Sequence, residues 1–286
     1  MTKYHVVTSF SDKLWKRYAS STVPSVRNGL PKEVTMSAWY NGIYSSEWAE
    51  ALPDVRFEDL NAVGDFQYFR QKYKHTPAPQ VEPGHQFRFN FLPFWNKVCA
   101  LYQEVGKHTE GYVIWIDADV ASAKEITMED LKLWTDEADV STLVRGKPWN
   151  TWDTGFLALK IPEALPLVKD VYDLYTSGRI FDQTEWHDAY LFTVVFKEYK
   201  NKLRMKNLNM MSSAAHPFDA STLPPRLAHL KGAERKMKGT FMDPSKLNGI
   251  FKANFVGPKN VQEDPEIRLT EGGNIVMPDG TMRNVL

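Results

Sequence analysis

The stretch Tyr112-Val113-Ile114-Trp115-Ile116-Asp117-Ala118-Asp119 decides how this 286-residue chain is read. Five consecutive apolar residues, three of them β-branched, leave no polar face, so the run is expected to be a strand buried on both sides. It ends on Asp-Ala-Asp. An open α/β sheet places its ligands at the carboxyl ends of its strands. Two carboxylates held there repel each other unless a cation lies between them. Hard divalent ions take oxygen ligands and bridge readily to phosphates. Asp117 and Asp119 therefore read as holders of Mn²⁺ or Mg²⁺ and, through it, of a diphosphate whose charge the ion offsets on departure. Asp-x-Asp is also a common loop or capping pattern; the apolar run ahead of it favours the metal.

Working outward, His5 to Ser11 and Val34 to Tyr40 read as strands around a helix from Asp12 to Ser20, whose Leu14, Trp15 and Tyr18 share a face. Strand, helix, strand at this spacing predicts a βαβ unit and a parallel sheet. Residues 45–75 read as mixed helix and loop, and the Pro-rich run from His75 to Gly84 as a surface loop or lid. Phe87 to Val105 reads as a long helix with Arg88 and Lys97 roughly on one side. Thr127 with Asp130 three residues on marks a capped helix to Asp136. Strands follow at Asp139 to Val144 and Gly155 to Lys160, with a turn from Gly146 to Asn150 between them. Helices are expected from Pro162 to Ser177 and Gln183 to Lys197, then an edge strand from Leu203 to Leu208. The tail, rich in Gly and Pro, reads as an extended or small β appendage. The fold class expected is α/β, a mixed and mostly parallel sheet flanked by helices.

Basic and acidic residues balance at 35 each, so no global field draws the chain to nucleic acid or anionic membrane. A single cysteine, Cys99, excludes a disulfide framework and a Cys-rich zinc site. No apolar run is long enough to span a bilayer, and Met1-Thr2-Lys3-Tyr4-His5 has no signal-peptide pattern, so a cytoplasmic location is expected, that of the host if the chain is viral.

Tyr112 to Val120 resembles the Asp-x-Asp motif of GT-A-fold, metal-dependent glycosyltransferases, and other segments follow in that family's order. His5 to Ser11 is similar to its first strand and nucleotide-binding loop. Arg88 and Lys97 are similar to the basic residues ahead of its motif strand. Trp152-Asp153-Thr154-Gly155-Phe156-Leu157 is similar to the strand facing sugar and acceptor. Asp182 to Asp188 resembles the acidic segment heading the helix under the site, and His229-Leu230-Lys231-Gly232 the late His-x-x-Gly segment of glycogenin-like, retaining members. The resemblance covers roughly residues 4 to 236; the usual Pro-Trp ending of the late segment is missing, and the tail matches nothing known. It implies a UDP-sugar donor bound by Thr8, Ser9, Phe10, Arg88, Lys97, Asp117, Ala118, Lys231 and Gly232. It implies a metal on Asp117, Asp119 and His229, and catalytic roles for Asp188 and Asp153. It also implies a catalytic domain over residues 1–240 and an extension over 241–286 packed on it.

Each residue keeps a plainer alternative. His229, between Leu227 and Leu230, also suits a structural histidine, and Arg88 and Lys97 suit structural roles. Asp153 and Asp188 also suit caps. In an inverting enzyme one of them would be the base; with retention, Asp188 would orient the donor sugar or stabilise the transition state. Trp149, Trp152 and Trp186 suit either sugar stacking or core packing. The acceptor stays open among a glycan, a protein, a small molecule and, as in bacteriophage DNA-modifying glycosyltransferases, hydroxymethylated cytosine, toward which the basic stretch Lys197 to Lys206 could form a platform. The competing functions are a nucleotidyltransferase acting on sugar phosphates, against which the glycine-free loop after the first strand speaks, and an inactive sugar-nucleotide-binding protein.

Overall fold

The computed structural model describes residues 2–82, 85–145, 151–209, 217–218, 221–223 and 226–230, with the backbone of 268–269, 274–276 and 282–284. β1 (Tyr4–Ser11) leads into α1 (Asp12–Leu14), a π-helical turn (Trp15–Ala19) and α2 (Ser20–Gly29). The helical run is thus longer than the Asp12 to Ser20 expected, because Val23 and Val26 continue the apolar face set by Trp15 and Tyr18. β2 (Thr35–Asn41) follows, then α3 (Ser46–Ala51), β3 (Val55–Asp59) and α4 (Gly64–Tyr73). β3 hides in the sequence because its Val-Arg-Phe-Glu-Asp carries charges, which an edge strand tolerates.

α5 (Phe91–Val105) precedes the decisive strand, β4 (Gly111–Ile116), which is buried from Tyr112 to Ile116. β5 (Val120–Ser122) comes next, then α6 (Met128–Thr135), opened by the reciprocal Thr127–Asp130 capping box that the spacing predicts. β6 (Val140–Val144), β7 (Trp152–Ile161), α7 (Leu165–Thr176), α8 (Asp188–Phe196), β8 (Met205–Asn207) and β9 (Leu227–His229) complete the main body. α8 starts five residues later than the Gln183 expected, since His187 caps it by accepting from the Tyr190 N–H. The expected turn at Gly146 to Asn150 lies outside the described residues. In the tail, β10 (Arg268–Leu269), β11 (Asn274–Val276) and β12 (Met282–Asn284) form an antiparallel three-stranded sheet.

The main sheet has seven strands in the order β3-β2-β1-β4-β7-β6-β8. Only β7 runs against the others, pairing antiparallel with both β4 and β6. Side chains alternate between two cores. On one face Val6, Phe10, Ile114, Ile116 and Phe156 meet the helices after β1 and α6; on the other Val7, Val113, Trp115 and Leu157 meet α4, α5, α7 and α8. Two filled faces explain the near-continuous apolar strands. The chain moves outward from β1 through β2 to β3, then returns to place β4 on the other side of β1. That reversal opens a crevice at the carboxyl ends of β1 and β4, where Asp12 and Asp117 begin.

Candidate functional site

The acidic pair leaves β4 with its geometry fixed from both cores. Asp117 Oδ1 accepts from the Trp115 indole at 2.6 Å and from Lys97 Nζ at 2.8 Å, while the Asp117 N–H donates to the Gly155 carbonyl at 3.0 Å. Both side-chain contacts fall on one oxygen, which turns Oδ2 away from them. The Ala118 carbonyl accepts from the Thr22 hydroxyl on α2. Asp119 is held by a ribbon outside the main sheet: β5 pairs antiparallel with β9, placing Val120 opposite His229, and the Leu230 N–H donates to the Asp119 carbonyl at 2.8 Å. His229 Nε2 then lies 2.9 Å from Asp119 Oδ1. One ligand atom from each of Asp117, Asp119 and His229 falls within 4.8 Å of the others. Two carboxylates and an imidazole at that spacing suit a divalent cation. The ribbon has no strong sequence signal, since β5 and β9 are three residues each and 104 residues separate Ser122 from Leu227.

Gly155 makes the approach of His229 possible. A Cβ there would lie 3.0 Å from His229 Cε1 and 3.2 Å from both His229 Nδ1 and Asp153 Oδ1. Gly155→Ala is therefore expected to push His229 off its position. A cost of about 1–3 kcal/mol in stability should accompany weaker divalent-cation binding, read by denaturant melts and metal titration. Unchanged metal affinity would detach His229 from the cluster.

Lys97 links Asp117 to Asp188. Only 6% exposed, its ammonium lies 2.8 Å from Asp117 Oδ1 and 2.9 Å from Asp188 Oδ2, and also donates to the Thr154 carbonyl. The Thr154 hydroxyl donates to the same Asp188 oxygen at 2.5 Å. Burial opposes charge on Lys97, but Asp117 and Asp188 outweigh it and hold its pKa above the usual lysine value. Burial likewise opposes charge on Asp188, yet the Lys97 ammonium and the Thr154 hydroxyl hold its carboxyl below the usual carboxylate range. Asp188 is the first residue of α8, where the helix dipole also favours a negative charge.

Arg88 parts company with Lys97. It lies in a 3₁₀ turn (Gln86–Phe89) ahead of α5 rather than on a shared helix, and donates to Glu185 at 2.9 Å. Glu185 in turn meets His187 Nε2 at 2.7 Å, so Arg88 braces the segment leading into Asp188. Asp153 is buried, accepts from Arg145 at 2.9 Å and from the Gly155 N–H at 3.2 Å, and shares the Gly155 neighbourhood with His229. Trp152 and Trp186 are core residues, packed on Phe192 and on Phe89 and Phe181. Lys231, Gly232 and Trp149 lie outside the described residues.

β1 runs on to Ser11, which encloses the residues expected to meet a nucleotide. Thr8 is buried, Phe10 packs against Trp15 and Trp48, and Ser9 is partly exposed. A cleft of about 670 Å³ opens beyond them, at the ends of β1 and β2, between Asp12, Trp15, Lys16, Tyr44 and Trp48. Asp12 Oδ2 accepts from the Ile43 N–H at 3.2 Å, and Oδ1 has no hydrogen-bond partner among the described residues. The Asp12 carboxylate fits against Gly42 (φ 147°), where a Cβ would come within 2.5 Å of Oδ1. Tyr18, which the sequence assigned only to packing, lies close enough to the acidic pair to feel its charge. Burial pushes its phenol pKa up, and the charges of Asp119 and Asp117 push it further, so it faces the acidic pair as a neutral group. The basic stretch is partly neutralised, since Arg204 pairs with Asp139 and Lys206 with Asp136.

No protein-family model matches the sequence, and no curated protein matches it. Among solved structures, the chain is similar to mouse xyloside xylosyltransferase 1 in its apo form, at 14% identity and a TM-score of 0.47, over 72% of this chain and 85% of that one. It is also similar to the galactosyltransferase LgtC in complex with donor and acceptor sugar analogs, at 12% identity and a TM-score of 0.48, over 86% and 99%. A third likeness is to the glycosyltransferase GlyE of Streptococcus pneumoniae TIGR4, at 13% identity and a TM-score of 0.46, over 72% of this chain and 46% of that one. The chain thus spans about half of GlyE. Function has to be read from this chain's own residues.

Proposed function

We propose that the chain is a metal-dependent glycosyltransferase of the GT-A type, moving a sugar from a UDP-sugar to an acceptor hydroxyl with retention of configuration. The observation that carries this reading is the convergence of Asp117, Asp119 and His229 within 4.8 Å at the crevice between β1 and β4. Those three residues would hold Mn²⁺ or Mg²⁺, which when bound offsets charge on a leaving diphosphate. The chain's own groups supply the rest. Lys97 fixes Asp117 on one side and Asp188 on the other, so that the two acids keep their spacing. Asp188, charged and held by Lys97 and Thr154, suits a sugar-orienting carboxylate that supports positive charge on the donor carbon. Its engagement with an ammonium makes it a poor proton acceptor, and Asp153 is similarly committed to Arg145. Neither carboxylate is therefore poised as a base, which favours retention over inversion.

The cleft beside Asp12 suits the nucleoside end of the donor. Tyr44, 47% exposed, offers a ring for a base to stack on, and Asp12 offers a carboxylate for an imide N–H. Tyr44→Ala is expected to raise the UDP dissociation constant about 5- to 150-fold, from the roughly 1–3 kcal/mol that base–aromatic stacking contributes. Isothermal titration with UDP in excess Mn²⁺ checks this; an unchanged constant would move the base elsewhere.

The proposal is tested by screening UDP-sugars for metal-dependent UDP release, followed by mass analysis of glycan, protein and hydroxymethylated-DNA acceptors. UDP release is the expected result. Release of pyrophosphate would assign nucleotidyl transfer instead, and sugar-nucleotide binding without turnover would assign an inactive binding protein. No helix among the described residues is long and apolar enough to cross a membrane.

A further inference from the structure

At the opposite end of β1 from the acidic pair, three potential metal ligands converge on one point. His5 Nε2 and His108 Nε2 each lie 3.1 Å from the same carboxylate oxygen, Glu104 Oε1. The two imidazole rings are 4.6 Å apart between centroids. Arg56 Nη2 also donates to Oε1, and Trp39 Nε1 donates to Oε2 at 2.9 Å. Oε1 thus has three nitrogens around it, more than the about two lone-pair sites one carboxylate oxygen offers. Two imidazoles and a guanidinium therefore crowd a single carboxylate oxygen.

The spacing also admits coordination. Ligand atoms bound at about 2.0–2.2 Å to one cation stand about 2.8–3.6 Å from each other between octahedral and tetrahedral angles. Both nitrogen–oxygen separations fall in that interval, and one ligand atom from each of His5, Glu104 and His108 lies within 4.8 Å of the others. His5 is already oriented in the way metal-binding histidines are: its other nitrogen, Nδ1, meets the Thr35 hydroxyl at 2.7 Å, which fixes the ring. Nε2 also contacts the Ser37 hydroxyl at 2.9 Å. Arg56 is the competing cation, and it has a second anchor, since its Nε lies 2.8 Å from Glu58 Oε1. A metal on Glu104 would displace Arg56 toward Glu58, which Lys107 also meets at 2.7 Å. Access exists as well. A cleft of about 430 Å³ lined by His5, His108, Thr35, Lys3, Glu110 and Tyr112 opens onto the cluster and leaves room for a water ligand.

We propose that His5, Glu104 and His108 form a second divalent-cation site, selective for an imidazole-preferring ion of the Zn²⁺ type. Two imidazoles and one carboxylate match such an ion better than Mg²⁺ or Ca²⁺, which take oxygen. The site ties the end of α5 to the first residues of β1. His5 pairs with Val113, four residues before Asp117, so the two clusters are on the order of 13 Å apart along the strand. They would bind independently.

The test uses the full-length chain in an Asp119→Ala background, chelator-treated and titrated with Co²⁺ as a spectroscopic stand-in for Zn²⁺. The expected result is one equivalent of Co²⁺ with the visible bands of four- or five-coordinate, nitrogen-containing ligation. Adding His108→Ala should weaken binding by more than the about 10–100-fold that loss of an outer-shell partner costs. His108→Gln, closer in size, should give the same loss if the alanine variant unfolds. Arg56→Gln, lacking the competing cation, should bind at least as tightly. No Co²⁺ uptake in the Asp119→Ala background, equal affinity without His108, or weaker binding without Arg56 would each overturn the site. The His108→Ala single variant should keep its Mn²⁺-dependent response to UDP, so the second site and the proposed transferase activity fail separately.

Discussion

Asp119→Ala is expected to lower metal-dependent sugar transfer by about 1,000-fold or more, while the metal-free protein keeps its fold. A thousand-fold loss corresponds to about 4 kcal/mol of transition-state stabilisation, a reasonable size for removing charge stabilisation at a leaving group. The structural cost should be small by comparison. The residue is held in place by backbone as much as by side chain: the Leu230 N–H still meets its carbonyl and β5 still pairs with β9. Removing one of two neighbouring carboxylates also relieves repulsion in the metal-free state. Asp119→Asn, which keeps size and loses charge, should be nearly as inactive. If Asp-Ala-Asp were only a turn, both variants would keep turnover and lose stability instead. Steady-state kinetics with melts in chelator distinguish the two patterns.

The largest stability effect is expected at Lys97. Lys97→Met leaves Asp188, 3% exposed, without its cation. Breaking a buried ion pair by removing one partner costs about 3–5 kcal/mol, measurable by urea unfolding. The double variant Lys97→Met/Asp188→Asn should regain part of that stability without regaining activity. The pH dependence has a definite sign. In the native protein the Asp188 carboxyl lies below its unfolded value, so its contribution is present above the unfolded carboxylate pKa and is lost as pH falls through the folded one. Lys97 lies above its unfolded value, so its contribution is complete below the unfolded lysine pKa and is lost as pH rises through the raised one. Stability from this pair is therefore level across neutral pH. In Lys97→Met, burial governs Asp188 and raises its carboxyl, so that variant should become more stable as pH falls from 7 to 5. A variant that loses stability over that interval would contradict the pairing.

The sequence disclosed most where one local rule acts alone. Tyr112 to Ile116 reads as a buried strand because both faces are filled, and the Thr127–Asp130 box reads as a helix start because its two hydrogen bonds are local. The position of Asp117 and Asp119 at a strand end was legible because the strand ahead of them sets their place in the sheet. What stayed hidden depends on contacts distant in sequence. β3 carries charges that only its edge position explains, and β9 is a strand only because β5 supplies its partner. The enclosure of β1's end was hidden for a related reason: nothing in Thr8-Ser9-Phe10 shows that Phe10 will be enclosed by Trp15 and Trp48. The helix spacing of Arg88 and Lys97 suggested a common face, yet the 3₁₀ turn ending at Phe89 sends Arg88 to Glu185. Tyr18 and Gly155 gain their meaning from Asp119 and His229, which approach them only after folding.

Thermal unfolding with UDP, in Mn²⁺ and in chelator, tests the central claim most directly. With UDP at about 100 times its dissociation constant, ligand linkage adds roughly 2.7 kcal/mol, a rise of about 5 °C or more for a chain of this size. The prediction is that this rise appears in Mn²⁺, disappears in chelator and is absent in Asp119→Ala. No rise at all, or the same rise with and without the metal, would contradict the assignment of Asp117, Asp119 and His229 to a metal–diphosphate site.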